Sequence, residues 1–314
     1  MVGAANKRLY IGIPHGFCAG VRRAVAVVEA VLAAGGSRRI FVFNEIVHNN
    51  TVVDELRKRG VAFIRTVSEA EDGSILVFSA HGVGLDVMNE AARRDITVID
   101  ATCPLVTALH AQARKLAADG RRILLIGKPG HPEIIGTLGQ LPDERPGIVV
   151  PDAAAAAALP DLDGLPAVLT QTTLNNAAIG PVLTALKRRF GTGVKIANHH
   201  CYATENRQNA VKMLAEKCEL VLIIGSPHSS NSKELCKVAE NSGCRAKLID
   251  TPEEIAAEEL SDIEALGLTA GASAPPELFD AAVRRLARLG FTDRQTVTAA
   301  EEKVDFPLPP ININ

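Results

Sequence analysis

Three cysteines stand in the same local setting. Cys18 follows the apolar run 9–13 and the turn Pro14-His15-Gly16, and a helical pattern starts just after it, with Val21, Ala24, Val25 and Val28 on one face. Cys103 closes ITVIDATCPL, with Pro104 at a first-turn position and a helical run over 105–116. Cys201 closes KIANHHCYA, ahead of a helical run over 205–217. A thiol at a strand-to-helix corner faces unpaired backbone N–H groups and the positive end of the helix dipole. Both favour the thiolate, the form that attacks or binds metal. One such cysteine would read as corner filling. Three of them, 85 and 98 residues apart, read as a repeat with a domain-sized period.

The other reactive side chains recur in register with the cysteines. A second strand in each copy (39–43, 122–126, 220–224) runs into a polar tip: NEIVHNNTVVDEL with His48, GKPGHPEIIGTL with His131 and Glu133, and GSPHSSNSKEL with Ser229, Ser230 and Asn231. A fourth strand ends in SILVFSAHGVG with His81, AVLTQTTLNN with Thr172, or LGLTAGASAPP with Ser273. Three thiolates without a fourth protein ligand fit either a catalytic zinc, which usually carries His or carboxylate as well, or an iron–sulfur cluster with one iron left open as a Lewis acid. His48, His81, His131, Ser229, Asn231 and Ser273 offer hydrogen-bond donors near helix N-termini, which suits a phosphate or diphosphate. Glu133 is the one carboxylate of the innermost tips. It reads either as a proton donor, provided burial raises its pKa, or as a first-turn glutamate favoured by the dipole. Thr172 either bridges Glu133 to a substrate or caps the helix after Leu174, and Ser232 taken alone reads as a helix cap. Cys218, Cys236 and Cys244 occur in one copy only and read as buried or incidental. His110 falls within a helix and reads as structural. His15, His199 and His200 read as loop residues beside Cys18 and Cys201 rather than as a shell around them, and His228, just before the SSN tip, reads as an extra anion contact.

Elements that present these tips must alternate. A third strand in each copy (61–64, 147–150, 246–249) leads into an acidic or Ala-rich stretch, and helical patterns follow the fourth at 86–94, 179–190 and 276–289. Four strands alternating with helices predict an α/β fold with mostly parallel four-stranded sheets. Ligands of such sheets bind beyond the strands' carboxyl ends, where every tip named above lies. Three copies predict three similar α/β domains in a pseudo-threefold arrangement that could bring the three thiolates together: 20–102, 103–199 and 200–290, with the N-terminal strand 1–19 joining the third. Residues 291–314 are expected to form a C-terminal strand at 295–297 and a Pro-rich strap or tail.

Composition narrows the function classes. The chain has 314 residues, 47% of them hydrophobic, with 4% aromatics, no Trp and a net charge of −2. Without a basic stripe or stacking aromatics, no nucleic-acid partner is expected. The apolar runs are strand-sized, so no membrane span is expected, and residues 1–10 lack a signal-peptide core, which predicts a cytoplasmic protein. No CxxC occurs, which excludes a zinc ribbon.

The motifs GFCAGVRRAV, NEIVHNNTVVDEL, FSAHGVG, DATCPLVT, GHPEIIGT, TQTTL, CYATENRQ, SSNS and TAGASAP, in this order, resemble the LytB/IspH family of 4-hydroxy-3-methylbut-2-enyl diphosphate reductases. The resemblance runs from Gly16 to Pro275. It implies a trefoil of three α/β domains around a [4Fe-4S] cluster and the last step of the non-mevalonate isoprenoid pathway, reductive removal of an allylic hydroxyl to give isopentenyl and dimethylallyl diphosphate. By motif, Cys18, Cys103 and Cys201 would hold three irons and the fourth would take the substrate hydroxyl. His48, His81, His131, Ser229, Ser230, Asn231 and Ser273 would bind the diphosphate, and Glu133, with Thr172 and His131, would serve the proton transfer. Electrons would come from ferredoxin or flavodoxin. This chain departs from the family pattern at His15, at His199 and His200, and at Pro227 and His228, none of which replaces a mapped ligand. The other readings are a divergent cluster enzyme acting on another allylic diphosphate or alcohol, and a non-catalytic iron–sulfur redox sensor.

Overall fold

The computed structural model describes residues 7–197 and 201–313. Strand β1 (Lys7–Ile13) leads through the Cys18 turn into helix α1 (Ala19–Ala34). Then come β2 (Ile40–Phe43), α2 (Asn50–Lys58), β3 (Val61–Ile64), β4 (Ile75–Phe78), α3 (Leu85–Ala92) and β5 (Thr97–Asp100). Past Cys103 the order repeats: α4 (Pro104–Ala118), β6 (Arg122–Ile126), α5 (Pro132–Leu138), β7 (Ile148–Val150), the short α6 (Ala153–Ala157), β8 (Pro166–Thr170), α7 (Asn176–Phe190) and β9 (Lys195–Ile196). Past Cys201 stand α8 (Tyr202–Ala215), β10 (Leu220–Ile224), α9 (Ser230–Asn241), β11 (Arg245–Ile249), β12 (Ala265–Ala270), α10 (Pro276–Arg288) and β13 (Phe291–Thr298).

The strands form three sheets, ordered β3-β2-β4-β5, β7-β6-β8-β9 and β11-β10-β12-β1-β13. Each pairing among the described residues is parallel. The strand that leads into a cysteine bonds within the sheet of the strands before it: β5 beside β4, β9 beside β8, and β1 beside β12, from the far end of the chain. Central strands are apolar throughout because helices cover both faces. On β10, Leu222 and Ile224 pack with Leu268 and Phe279 on one side, while Val221 and Ile223 pack with Val211 and Leu235 on the other.

The third sheet has five strands rather than the expected four. β13 spans eight residues, not the three expected, and lies parallel to β1 along its whole length. Its inner stretch TDRQT is exposed, so it carries no apolar alternation to betray a strand, and its charges suit a sheet edge. The connections after the third strands share a role with different chemistry. Capping boxes Thr66/Glu69 and Thr251/Glu254 open single 3-10 turns, whereas Asp152 caps α6 by accepting from the Ala155 N–H.

The chain packs as two compact units. One runs to Ala19 and takes in His48–Val52 and Tyr202–Asp305; the other comprises Gly20–Val47, Val53–Cys201 and the segment from Phe306 on. The C-terminal segment is bonded in both. Glu302 pairs with Arg207 in the first, and in the second the carbonyls of Pro307 and Ile313 accept from Arg23 and Arg38. Among the described residues no helix is long and apolar enough to cross a membrane.

Candidate active site

In the first unit, the tips of β1, β10 and β12 are tied together by backbone and hydroxyl bonds. The Gly16 and Cys18 N–H groups donate to the carbonyls of Ala270 (3.2 Å) and Ala272 (3.1 Å), which holds the Cys18 turn along the end of β12. Ser273 Oγ donates to the His48 carbonyl (2.9 Å) and to Ser229 Oγ (3.4 Å), so the His48 segment is fastened to the same end. Asn50 Nδ2 donates to Asp250 Oδ2 (2.7 Å) and anchors that segment from its other side.

The cap of α9 is Ser229, not Ser232: Ser229 Oγ accepts from the Ser232 N–H at 3.2 Å, while Ser232 sits one turn in, fully buried. Asn231 Oδ1 accepts from the Ala272 N–H (2.9 Å), which fixes the amide so that its NH2 end points the other way. That Nδ2 is buried and has no protein partner among the described residues. A buried, unsatisfied donor beside a helix N-terminus is stabilised by an anion. Ser230, also buried, starts the same helix. His15, three residues before Cys18, lies flat on Phe279 (centroids 3.7 Å apart), and burial, helped by Arg207, pushes its pKa down to about 4. It is a packed side chain of this unit.

In the second unit, the ends of the first two sheets meet. The Leu85 N–H donates to the Gly139 carbonyl (2.7 Å) and Gln140 Nε2 to the Val83 carbonyl (2.7 Å). This brings the rings of His81 and His131 edge to face, 5.8 Å between centroids. His131 caps α5, its Nδ1 accepting from the Glu133 N–H at 3.2 Å. Glu133 is 2% exposed. Its Oε1 accepts from the Thr172 N–H (2.6 Å) and its Oε2 from Thr172 Oγ1 (2.7 Å), so one residue grips both carboxylate oxygens. The cap of α7 is Asn175, which accepts from the Ala178 N–H, so Thr172 does not cap that helix and bonds Glu133 instead. Cys103 takes the N-cap position of α4, its N–H donating to the Ala80 carbonyl (3.1 Å) in the His81 loop.

None of the six cysteines forms a disulfide. Cys18, Cys103 and Cys201 are each half-buried and each directly precede a helix. The other three differ in kind: burial pushes the thiols of Cys218 and Cys236 up to about 12 and raises that of Cys244, which leaves them inert. Among the described residues, no three His, Cys, Asp or Glu side chains are arranged around a single ion. Thiols that each directly precede a helix are the donor type that an iron–sulfur cluster takes. His110 is a buried member of α4 whose pKa burial lowers to about 4, a structural role as expected. His199 and His200 lie outside the described residues.

Two polar residues inside the motifs TQTTL and CYATENRQ carry no chemical assignment from the sequence. Gln171 is 1% exposed, its Oε1 accepting from the Lys128 N–H (2.9 Å) and its Nε2 donating to Thr173 Oγ1 (2.9 Å). It thus joins the loop that carries His131 and Glu133 to the loop that carries Thr172. Arg207, 1% exposed, bonds the Gly16 carbonyl. Its sequence neighbours Asn206 and Gln208 are polar as well, so the local sequence gives no hint of burial.

Comparison with known proteins places these features in one lineage. The family described as LytB protein matches residues 10–287. The chain is 44% identical over 306 residues to a 4-hydroxy-3-methylbut-2-enyl diphosphate reductase of Escherichia coli, covering 96% of each. Among solved structures it is similar to the E-1-hydroxy-2-methyl-but-2-enyl-4-diphosphate reductase of Plasmodium falciparum, with TM-score 0.92 and 32% identity over 97% of this chain and 96% of that one. It is also similar to an (E)-4-hydroxy-3-methyl-but-2-enyl diphosphate reductase described as the terminal enzyme of the non-mevalonate pathway, with TM-score 0.64 and 30% identity over 90% of this chain and 99% of that one.

Proposed function

The chain belongs to the LytB family, and from that membership we propose that it reduces (E)-4-hydroxy-3-methylbut-2-enyl diphosphate to isopentenyl and dimethylallyl diphosphate. In the balanced reaction two electrons and two protons enter, the allylic C–O bond breaks, and the oxygen leaves as water. The second proton arrives at one or the other end of the allylic system, which accounts for two products.

The observation that carries this reading is the pairing of buried Glu133 with Thr172. A carboxyl group shielded from water and held by a hydroxyl can pass a proton to a leaving oxygen, and Thr172 Oγ1, bonded to Glu133, would relay it. A sensor has no use for such a group. Cys18, Cys103 and Cys201 would hold a [4Fe-4S] cluster, and Ser229, Ser230, Asn231, Ser273 and His48, with His81 and His131, would bind the diphosphate. When bound, the cluster supplies one-electron transfer and Lewis acidity toward the substrate hydroxyl. Asn231 Nδ2 and the first N–H groups of α9 supply neutral donors, which bind an anion without adding a side-chain charge. The electrons would come from ferredoxin or flavodoxin. The division into repeats 20–102, 103–199 and 200–290, with 1–19 added to the last, belongs to the same reading.

The test is anaerobic reconstitution with iron and sulfide, followed by assay with dithionite, a viologen dye and the hydroxylated diphosphate. Formation of both isoprenoid diphosphates is expected. A protein with an intact cluster that makes neither product sinks the reading, and one that takes up no iron sinks its cofactor.

A further inference from the structure

We propose that Arg207 is a positioning residue that pins the turn carrying Cys18 to the start of the helix behind Cys201. The inference rests on the reading of those two cysteines as cluster ligands. Arg207 stands in the second turn of α8, and its side chain is 1% exposed. All five guanidinium donors are used. Nε and Nη2 donate to the Gly16 carbonyl at 3.1 and 2.8 Å, and Nη1 donates to the Ala203 carbonyl at 2.9 Å. Nη1 and Nη2 also reach the two oxygens of Glu302 at 2.9 and 3.3 Å. Gly16 lies two residues before Cys18, and Ala203 two residues after Cys201. One planar group therefore fixes the backbone flanking two of the three thiol corners.

The other side of the Cys18 turn is equally constrained. The Gly16 N–H is held by the Ala270 carbonyl, the Cys18 N–H by the Ala272 carbonyl, and Gly16 has a φ of 67°, a conformation that glycine adopts without strain. Gly16 is thus clamped through both its N–H and its C=O. Glu302, 9% exposed and also bonded by Asn206, neutralises the guanidinium, so the group contributes shape and not net charge. Lysine cannot replace it: an ammonium has three donors around one atom and cannot reach three acceptors laid out for a fork.

A buried ion pair that only stabilised the fold would leave the individual thiols alike, and that difference is measurable. In the full-length chain freed of iron by a chelator, alkylation of Cys18 and Cys103 by iodoacetamide is followed by mass spectrometry. Arg207→Lys is expected to raise the Cys18 rate by about tenfold or more and to leave the Cys103 rate unchanged. Glu302→Gln, which leaves the bonds to Gly16 and Ala203 in place, is expected to keep the Cys18 rate close to that of the wild type. The reconstituted Arg207→Lys enzyme is expected to show an altered electron paramagnetic resonance line shape. A folded Arg207→Lys chain with the wild-type Cys18 rate overturns the proposal. Should Arg207→Lys fail to fold, Arg207→Met combined with Glu302→Leu removes both charges together, and the same criterion applies to it. The alkylation rates do not depend on metal, so a wild-type chain that takes up no iron would overturn the cluster reading while the Cys18 rates still decide the role of Arg207.

Discussion

On the proposed reading, Glu133 and Thr172 are where the chemistry narrows to one residue pair. Both Glu133 oxygens accept from Thr172, one from the backbone N–H and one from the hydroxyl. Glu133→Gln is nearly isosteric, but its NH2 end would face one of those two donors, and the side chain would have no acidic proton to deliver. Turnover is expected to fall by about 10²–10⁴-fold, with iron content and substrate affinity close to wild type. Thr172→Ala keeps the backbone bond and loses the hydroxyl, so its loss should be smaller than that of Glu133→Gln. Single-turnover kinetics with calorimetric binding would check both, and a fully active Glu133→Gln enzyme would contradict the role. Glu133 was legible in the sequence because it is the lone carboxylate in a tip otherwise built from Gly, His and Pro. Arg207 and Gln171 were not singled out in the sequence, because each has a defining partner in a backbone group far away in the chain, the Gly16 carbonyl and the Lys128 N–H, and backbone groups leave no mark in a residue pattern. Ser229 and Ser232 are the intermediate case: SSNS announces a cap, and only the helix start decides which serine it is.

At the scale of elements, the loops that present the histidines are shaped by close backbone approach. Gly82, next to His81, has a φ of 73°, and a Cβ added there would stand 2.6 Å from His110 Cε1. Position 82 therefore excludes a side chain for two reasons, the left-handed backbone and the ring beneath it. His110, the histidine with no part in the chemistry, is the floor of the His81 loop. Gly82→Ala is expected to destabilise the protein by roughly 1–3 kcal/mol, as overpacking a tight site does. It should also raise the KM for the diphosphate substrate, since the loop must lift to clear the ring and carries His81 with it. Thermal unfolding and initial rates test the two parts, and a Gly82→Ala enzyme unchanged in both contradicts the account. The sequence showed β2, β4, β6 and β10 plainly, as apolar runs bounded by polar tips. It hid most of β13, because an edge strand with five exposed residues in succession needs no apolar alternation.

Across the whole molecule, the regular return of strand, polar tip and helix made the parallel α/β plan readable before any coordinates. The N-terminal strand is expected to join the last copy; what periodicity could not give was the full-length β13 along the other side of β1, since pairing between strands more than two hundred residues apart is a tertiary choice. In the first unit His15 lies half-buried against Phe279, in the second His110 is buried in α4, and the two make stability depend on pH. Burial is the main cause of each shift. Arg207 adds to it and Asp280 opposes it at His15, while Arg114 adds and Asp100 opposes at His110. With each folded pKa lowered from 6.5 to about 4, the unfolded chain binds protons in that window that the folded chain does not, so stability falls as the pH drops through it. By pH 5 the loss should be about 2 kcal/mol for each histidine relative to pH 8. Urea unfolding of the full chain between pH 8 and pH 5 reads the slope, most of which lies above the range where carboxylates titrate. Gln at position 15 or 110 changes the absolute stability by an amount that packing sets, but it removes that residue's proton from the balance. Each variant should therefore lose its own share of the slope, and a His110→Gln chain as acid-sensitive as the wild type would show that the ring is charged in the folded state and that its burial has been misjudged.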